Sequence, residues 1–315
     1  MLRRNEIETA YAALFEPNAT KFSVPHSKEH CSANGHQIGL MGLKTGQQAR
    51  IERPTENGTT LALYTISDAH GEEPNSVFLD YKNPEDVGKR FGVPTEEPFQ
   101  GKINSQVAAV GLDDDAAKAY SEFVEHLTDD GHNSELVVIA PHGGDIEEHT
   151  GEQAEEVAKQ LSSTSVSVWM CKGFKKGHGA FDRWHITATD INEKSFPMLK
   201  TIFGRHFKYA VAFHGWSGDS ICIGGSKEDP DNLKKEIKKA IYDVVSGSGI
   251  VVEIAGDDDN NGLCPEGFNG NSQNNIVNRL GATGVQIEQC EKARDNYGPQ
   301  IAKAVANVIR PKLVA

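Results

Sequence analysis

The feature that most constrains this chain lies in its later part, where short apolar runs alternate with stretches of helical period. Leu136-Val137-Val138-Ile139-Ala140, Ser165-Val166-Ser167-Val168-Trp169-Met170, Lys208-Tyr209-Ala210-Val211-Ala212-Phe213, residues 249–254 and Val285-Gln286-Ile287-Glu288 read as strands. Between them, Thr150-Gly151-Glu152-Gln153 has the form of a capping box, followed by the stripe Ala154, Val157, Ala158 and Leu161. Asp229-Pro230 caps a second stripe, Leu233, Ile237, Ile241 and Val244, and Tyr297, Ile301, Val305 and Ile309 share one face of a last helix. Strands separated by helices imply an α/β fold with a mixed, mostly parallel sheet flanked by helices.

The earlier part reads differently. Residues 50–54 and 60–66 flank Asn57-Gly58, a strong hairpin signal, so residues 1–100 are expected to form a small β-rich amino-terminal module. Its end, from His70 to about Gln100, is polar, contains proline and reads as loop or linker. The second domain then covers 101–315, and Tyr120, Phe123, Val124 and Leu127 predict a helix from Asp114 to Asp129.

A net charge of −13 argues against sequence-independent binding of nucleic acid, which needs Lys and Arg on phosphates. No apolar run approaches the ~20 residues of a membrane span. The start, Met1-Leu2-Arg3-Arg4-Asn5-Glu6, turns polar too early for a secretory leader, so a cytoplasmic protein is expected. Cys31, Cys171, Cys222, Cys264 and Cys290 are odd in number and scattered, which argues against a disulfide framework.

Chemistry concentrates where strands end. The run to Ala140 opens into Pro141-His142-Gly143-Gly144-Asp145-Ile146-Glu147, an imidazole and a carboxylate on the loop leaving a strand. Ligands gather at such carboxyl ends, and a catalytic zinc site needs three protein ligands and one open position. His214 is the best third ligand, because Phe213-His214-Gly215 repeats the local design of Ala140-Pro141-His142-Gly143. His149, His178, His185 and His206 compete with it. Glu288 ends another apolar run and suits a general base, although an acid at a strand end is more often a solvated group. Asn278 and Arg279 offer an amide and a guanidinium for a substrate carboxylate or carbonyl, and His185 sits beside two hydroxyls. A basic cluster of Lys172, Lys175, Lys176 and Arg183 would suit an acidic substrate.

These motifs occur in an order that resembles the poly-γ-glutamate hydrolase family known from bacteriophages. The similarity rests on residues 140–147, Trp184-His185-Ile186-Thr187, Ala212-Phe213-His214-Gly215, Asn275-Ile276-Val277-Asn278-Arg279 and Gly284-Val285-Gln286-Ile287-Glu288, and spans about residues 100–315. It implies a zinc-carboxypeptidase-like fold and a Zn2+ ion held by His142, Glu147 and His214. It also implies Glu288 as general base and a poly-γ-glutamate or peptide-like substrate. In zinc carboxypeptidases an Asn-Arg pair binds the terminal carboxylate but precedes the last His ligand; Asn278-Arg279 follows His214, so that role is an analogy. The rival readings are a cysteine hydrolase using Cys171, Cys222 or Cys290, and a non-catalytic binding or regulatory protein on the same scaffold.

Overall fold

The computed structural model describes residues 10–17, 27–71, 74–81, 83, 85–92, 97–161, 166–177, 179–256 and 262–313. His178 and the first nine residues, on which the leader reading rests, lie outside the described residues. Contacts gather the chain into two compact units, residues 1–123 with 175–197 and residues 124–174 with 198–315.

The first unit is a closed barrel of six strands: β1 (Ala10–Pro17), β2 (His30–Asn34), β3 (Gln48–Thr55), β4 (Gly58–His70), β5 (Ser76–Leu79) and β6 (Phe99–Asn104), in the order β1-β5-β2-β4-β3-β6. β3 and β4 form the hairpin that Asn57-Gly58 signals, antiparallel from Thr55↔Gly58 to Gln48↔Thr65. The expected linker from His70 to Gln100 is instead structured. It holds β5, the short helix Asp86–Phe91 and the start of β6, so the break expected at residue 100 falls inside a strand. Few residues there are apolar, but Val77, Phe78, Leu79, Val87, Phe91 and Phe99 are all buried, which average polarity conceals. Phe15 stacks on Phe99 at 5.1 Å inside the barrel, and the buried Arg90 guanidinium lies 4.6 Å over Tyr64.

The second unit is built on a seven-stranded sheet of β7 (Phe123–Thr128), β8 (Leu136–Gly144), β9 (Ser167–Gly173), β10 (Phe207–Trp216), β11 (Ser220–Gly225), β12 (Val251–Ile254) and β13 (Gly281–Cys290), in the order β12-β11-β13-β10-β8-β9-β7. β10 runs parallel to β8 and β13, β8 to β9, and β11 to β12, whereas β11 is antiparallel to β13. β8 is buried over nearly its whole length, which explains its unbroken apolar run. The helices that accompany the sheet include α1 (Thr150–Gln160), α2 (Leu233–Val245), α3 (Ile276–Leu280) and α4 (Glu291–Leu313). Val138, Val211, Phe213, Val285 and Ile287 share one core with Val157, Ile237, Ile241, Ile301, Val305 and Ile309. Each such side chain contributes about 1.5–3 kcal/mol by leaving water.

Three local expectations change. The helix expected over Asp114–Asp129 stops at Tyr120, where Ser121 turns left-handed (φ 56°), and Phe123, Val124 and Leu127 lie on β7 instead. Their spacing is helical, but β7 buries Phe123 and Val124 in succession on opposite faces of a strand, which periodicity alone does not reveal. α1 does begin at Thr150, but its cap residue is His149 at φ 72°, and the Thr150 hydroxyl donates to Glu147 O at 2.8 Å. Cys222 and Cys264 form a disulfide. One bond is not the disulfide framework argued against, but it joins two of the five cysteines and weighs against the cytoplasmic expectation, since such bonds persist in oxidising compartments. No helix of the described residues is long and apolar enough to cross a membrane.

Candidate metal centre

β8, β10 and β13 deliver their carboxyl ends side by side. His142 sits near the end of β8, His214 near the end of β10, and Glu288, near the end of β13, is the register partner of His214. Glu147 comes back to them because the turn after β8 closes on itself, with Glu147 N donating to His142 O at 2.9 Å. Gly144 permits that turn. Its φ is +69°, and a Cβ there would stand 2.8 Å from Gly173 O, on the backbone of β9. All four side chains are buried or nearly so.

The ligand atoms converge. His142 Nδ1 is 3.1 Å from Glu147 Oε1, His214 Nδ1 is 3.2 Å from His142 Nδ1, and His214 Nδ1 is 3.5 Å from Glu147 Oε2. Donors at ~2.0–2.1 Å around a tetrahedral zinc ion lie about 3.3 Å apart, so these separations fit a shared ion. Two imidazole nitrogens and a carboxylate at such range also leave more lone pairs than protons, which a cation satisfies. His214 Nε2 is buried without a hydrogen-bond partner among the described residues. The local field has the sign a cation needs. Burial works to strip His214 of its proton, yet Glu288 alongside and the hydrogen bond and charge of Glu147 hold its pKa up to about 9. Burial likewise works to raise the Glu147 carboxyl, but the two histidines hold it well below the usual range.

A second set of residues fixes the first. Gly215 N donates to Glu147 Oε2 at 2.9 Å, and a Cβ on Gly215 would stand 2.6 Å from the Arg294 guanidinium. Arg294 in turn donates to Glu148 O at 2.9 Å. Glu288 Oε1 accepts from Gln286 Nε2 at 3.3 Å; that amide also reaches Phe268 O at 3.2 Å, and its Oε1 accepts from Asn275 Nδ2 at 2.7 Å. Asn275 caps α3 through its own Oδ1. Gln286 and Arg294 went unnoticed in the sequence. The signal for Gln286 was present, since residues two apart on a strand share a face.

The other candidates have partners of their own. Asn278 donates to Gly270 O at 2.7 Å and Ser272 O at 2.8 Å and accepts from Ser226 Oγ, so its amide pins a turn. The Arg279 guanidinium lies 4.8 Å over the Phe203 ring. His185, in the first unit, bonds to Glu29 Oε1 at 2.5 Å and stacks on Phe181. His149 is half exposed beside Asp295. Of the expected basic cluster, Lys172 pairs with Glu155 at 2.9 Å in the second unit, and Lys175, Lys176 and Arg183 belong to the first. The cysteine reading loses its nucleophiles. Cys222 is bonded to Cys264, and burial pushes the Cys171 and Cys290 thiols up, away from thiolate.

Residues 115–305 match the model of a family described as poly-gamma-glutamate hydrolase. The chain belongs to the poly-gamma-glutamate hydrolase family. The matched segment of this family member contains His142, Glu147, His214 and Glu288, and the six barrel strands precede it. The chain is 26% identical over 155 residues to the SPbeta prophage-derived UPF0714 protein YoqZ of Bacillus subtilis (strain 168), a match covering 49% of this chain and 47% of that protein, about half its length. A bacteriophage poly-gamma-glutamate hydrolase structure aligns with a TM-score of 0.44 at 21% identity, over 60% of this chain and 89% of that one. A metallo-carboxypeptidase from Burkholderia cenocepacia aligns with a TM-score of 0.34 at 10% identity, over 85% and 80% of the two chains.

Proposed function

We propose that this protein is a zinc-dependent hydrolase of γ-glutamyl or related amide bonds, with His142, Glu147 and His214 holding the metal and Glu288 acting as general base. The observation that carries the reading is the buried convergence of three side chains, His142, Glu147 and His214, whose nitrogens and carboxylate oxygens approach pairwise to 3.1–3.5 Å, with Glu288 in register beside His214. A zinc ion held there supplies Lewis acidity, polarising an amide carbonyl and lowering the pKa of water toward ~7.

The protein's own groups do the rest. Glu288 takes one proton from the attacking water and passes it to the departing nitrogen, so that its carboxylate is regenerated at the end of a turnover. Gln286, held by Asn275 and Phe268 O, keeps one Glu288 oxygen in place. Gly215 N–H holds Glu147 in the orientation that faces both histidines. Arg279 is the better remaining group for a substrate carboxylate, because the Asn278 amide is spent on its turn.

Metal analysis of the purified protein tests the assignment. The wild type is expected to carry zinc and to cleave poly-γ-glutamate, with activity lost to a chelator and restored by zinc; His142→Ala and His214→Ala are expected to lose the metal. Zinc retained at wild-type stoichiometry in the double variant would end the assignment.

A further inference from the structure

A cavity of ≈ 520 Å3 opens between the turn leading into α2, the end of β12 and the segment around Asn269, inside the ~300–1,000 Å3 range of small-ligand sites. Its lining is cationic and amidic: Lys227, Lys234 and Lys235, with Asn232, Asn269 and Asn271. Among the described residues the one carboxylate in the lining is Asp229, and both of its oxygens are engaged, accepting from Leu233 N at 2.7 Å and Lys234 N at 2.9 Å. The start of α2 is therefore closed by the chain itself; the ammonium groups are not. Lys234 Nζ donates to Ser226 O at 2.6 Å and keeps two further protons. Lys227 and Lys235 are exposed and make no ion pair among the described residues. In a chain of net charge −13, three such groups around one cavity call for an anion.

The cavity shares a wall with the candidate metal centre. Asn269 follows Phe268, whose carbonyl accepts from Gln286 Nε2, and that same amide donates to Glu288. Gly225, also in the lining, is the register partner of Val285, three residues before Glu288 on β13, on the order of 10 Å at strand rise. The donors come from three separate segments of chain, which suits a ligand bearing several carboxylates better than a single small ion.

We propose that this cavity is a subsite for the carboxylates of a polyanionic substrate, γ-linked glutamyl residues beyond the bond that is cut. The choice of polymer rests on the hydrolase reading above; the anion binding does not. The test uses the full chain carrying Glu288→Gln, which holds substrate without turnover, and fluorescently labelled poly-γ-glutamate as probe. Adding Lys227→Glu and Lys235→Glu is expected to weaken binding at least about tenfold and to flatten its dependence on salt, with Lys→Arg at both positions restoring it. Both lysines are exposed, and a thermal melt shows whether the fold is kept; Lys227→Gln with Lys235→Gln gives a milder version of the same comparison.

Affinity within about twofold of the parent overturns the subsite. Displacement of the probe by inorganic phosphate, but not by unlabelled γ-glutamyl oligomer, overturns the polymer as its ligand. If the wild type leaves poly-γ-glutamate uncut while lysine-dependent binding persists, the hydrolase reading falls and the subsite stands.

Discussion

The general base proposed above must accept a proton and then release it from a fixed orientation, and the group that holds Glu288 is the Gln286 amide. Gln286→Leu keeps the bulk and removes the donor. It is expected to lower kcat about 10–100-fold with zinc content and KM little changed, read by steady-state kinetics and metal analysis. An unaltered kcat would reduce Gln286 to a packing residue. Glu288→Gln is expected to retain zinc and to cost at least ~100-fold in turnover; full rate in that variant removes it as the base. Gly215→Ala drives a methyl group into Arg294 and disturbs the N–H that grips Glu147, so weaker metal retention on dialysis is expected there. His142, Glu147, His214 and Glu288 could be picked out in the sequence because each stands at or just past the end of an apolar run. Arg294 could not be: it lies on a helix and reaches Gly215 only through the fold.

Elements were legible where apolar residues were dense and obscure where they were few. The runs behind β8, β9, β10 and β13 gave those strands directly. β11 was missed because Ser220-Ile221-Cys222-Ile223-Gly224-Gly225 follows β10 almost at once, and only antiparallel pairing to β13 reveals it. The same strand carries Cys222, whose partner Cys264 lies 42 residues on, so no spacing motif announced the bond. Closing a loop of that length contributes about 2–4 kcal/mol. Cys222→Ser with Cys264→Ser is therefore expected to lower the melting temperature in non-reducing buffer and to abolish any effect of reductant on it. Equal melting of wild type and variant would show that the bond adds nothing.

At the scale of the molecule, charge and connectivity matter most. Glu29 is buried in the first unit, accepting from Thr187 N at 2.8 Å and Oγ1 at 3.0 Å. Burial acts to raise its pKa, but His185 beside it, Arg90 and the Thr187 N–H bring it down to about 2. A depressed carboxylate stabilises the fold above its unfolded value of 4.5 and loses that contribution as pH falls from 4.5 toward 2. Glu29→Gln is expected to cost on the order of 3 kcal/mol at neutral pH, with the difference shrinking toward pH ~3. Urea unfolding of both proteins at the two pH values checks this, and a gap that widens in acid contradicts it.

The chain leaves the sheet after Phe174 and spends residues 175–197 with the barrel before returning. Lys28 holds Asp182, His30 holds Asp190, and Gln48 grips both Asp190 O and Ser195 Oγ. Trimming the gene to its family-matching portion would thus be a poor way to obtain a smaller enzyme. A polypeptide begun at residue 105 keeps the whole excursion while deleting the surface that shapes it. The shortened product is headed for inclusion bodies rather than for an assay.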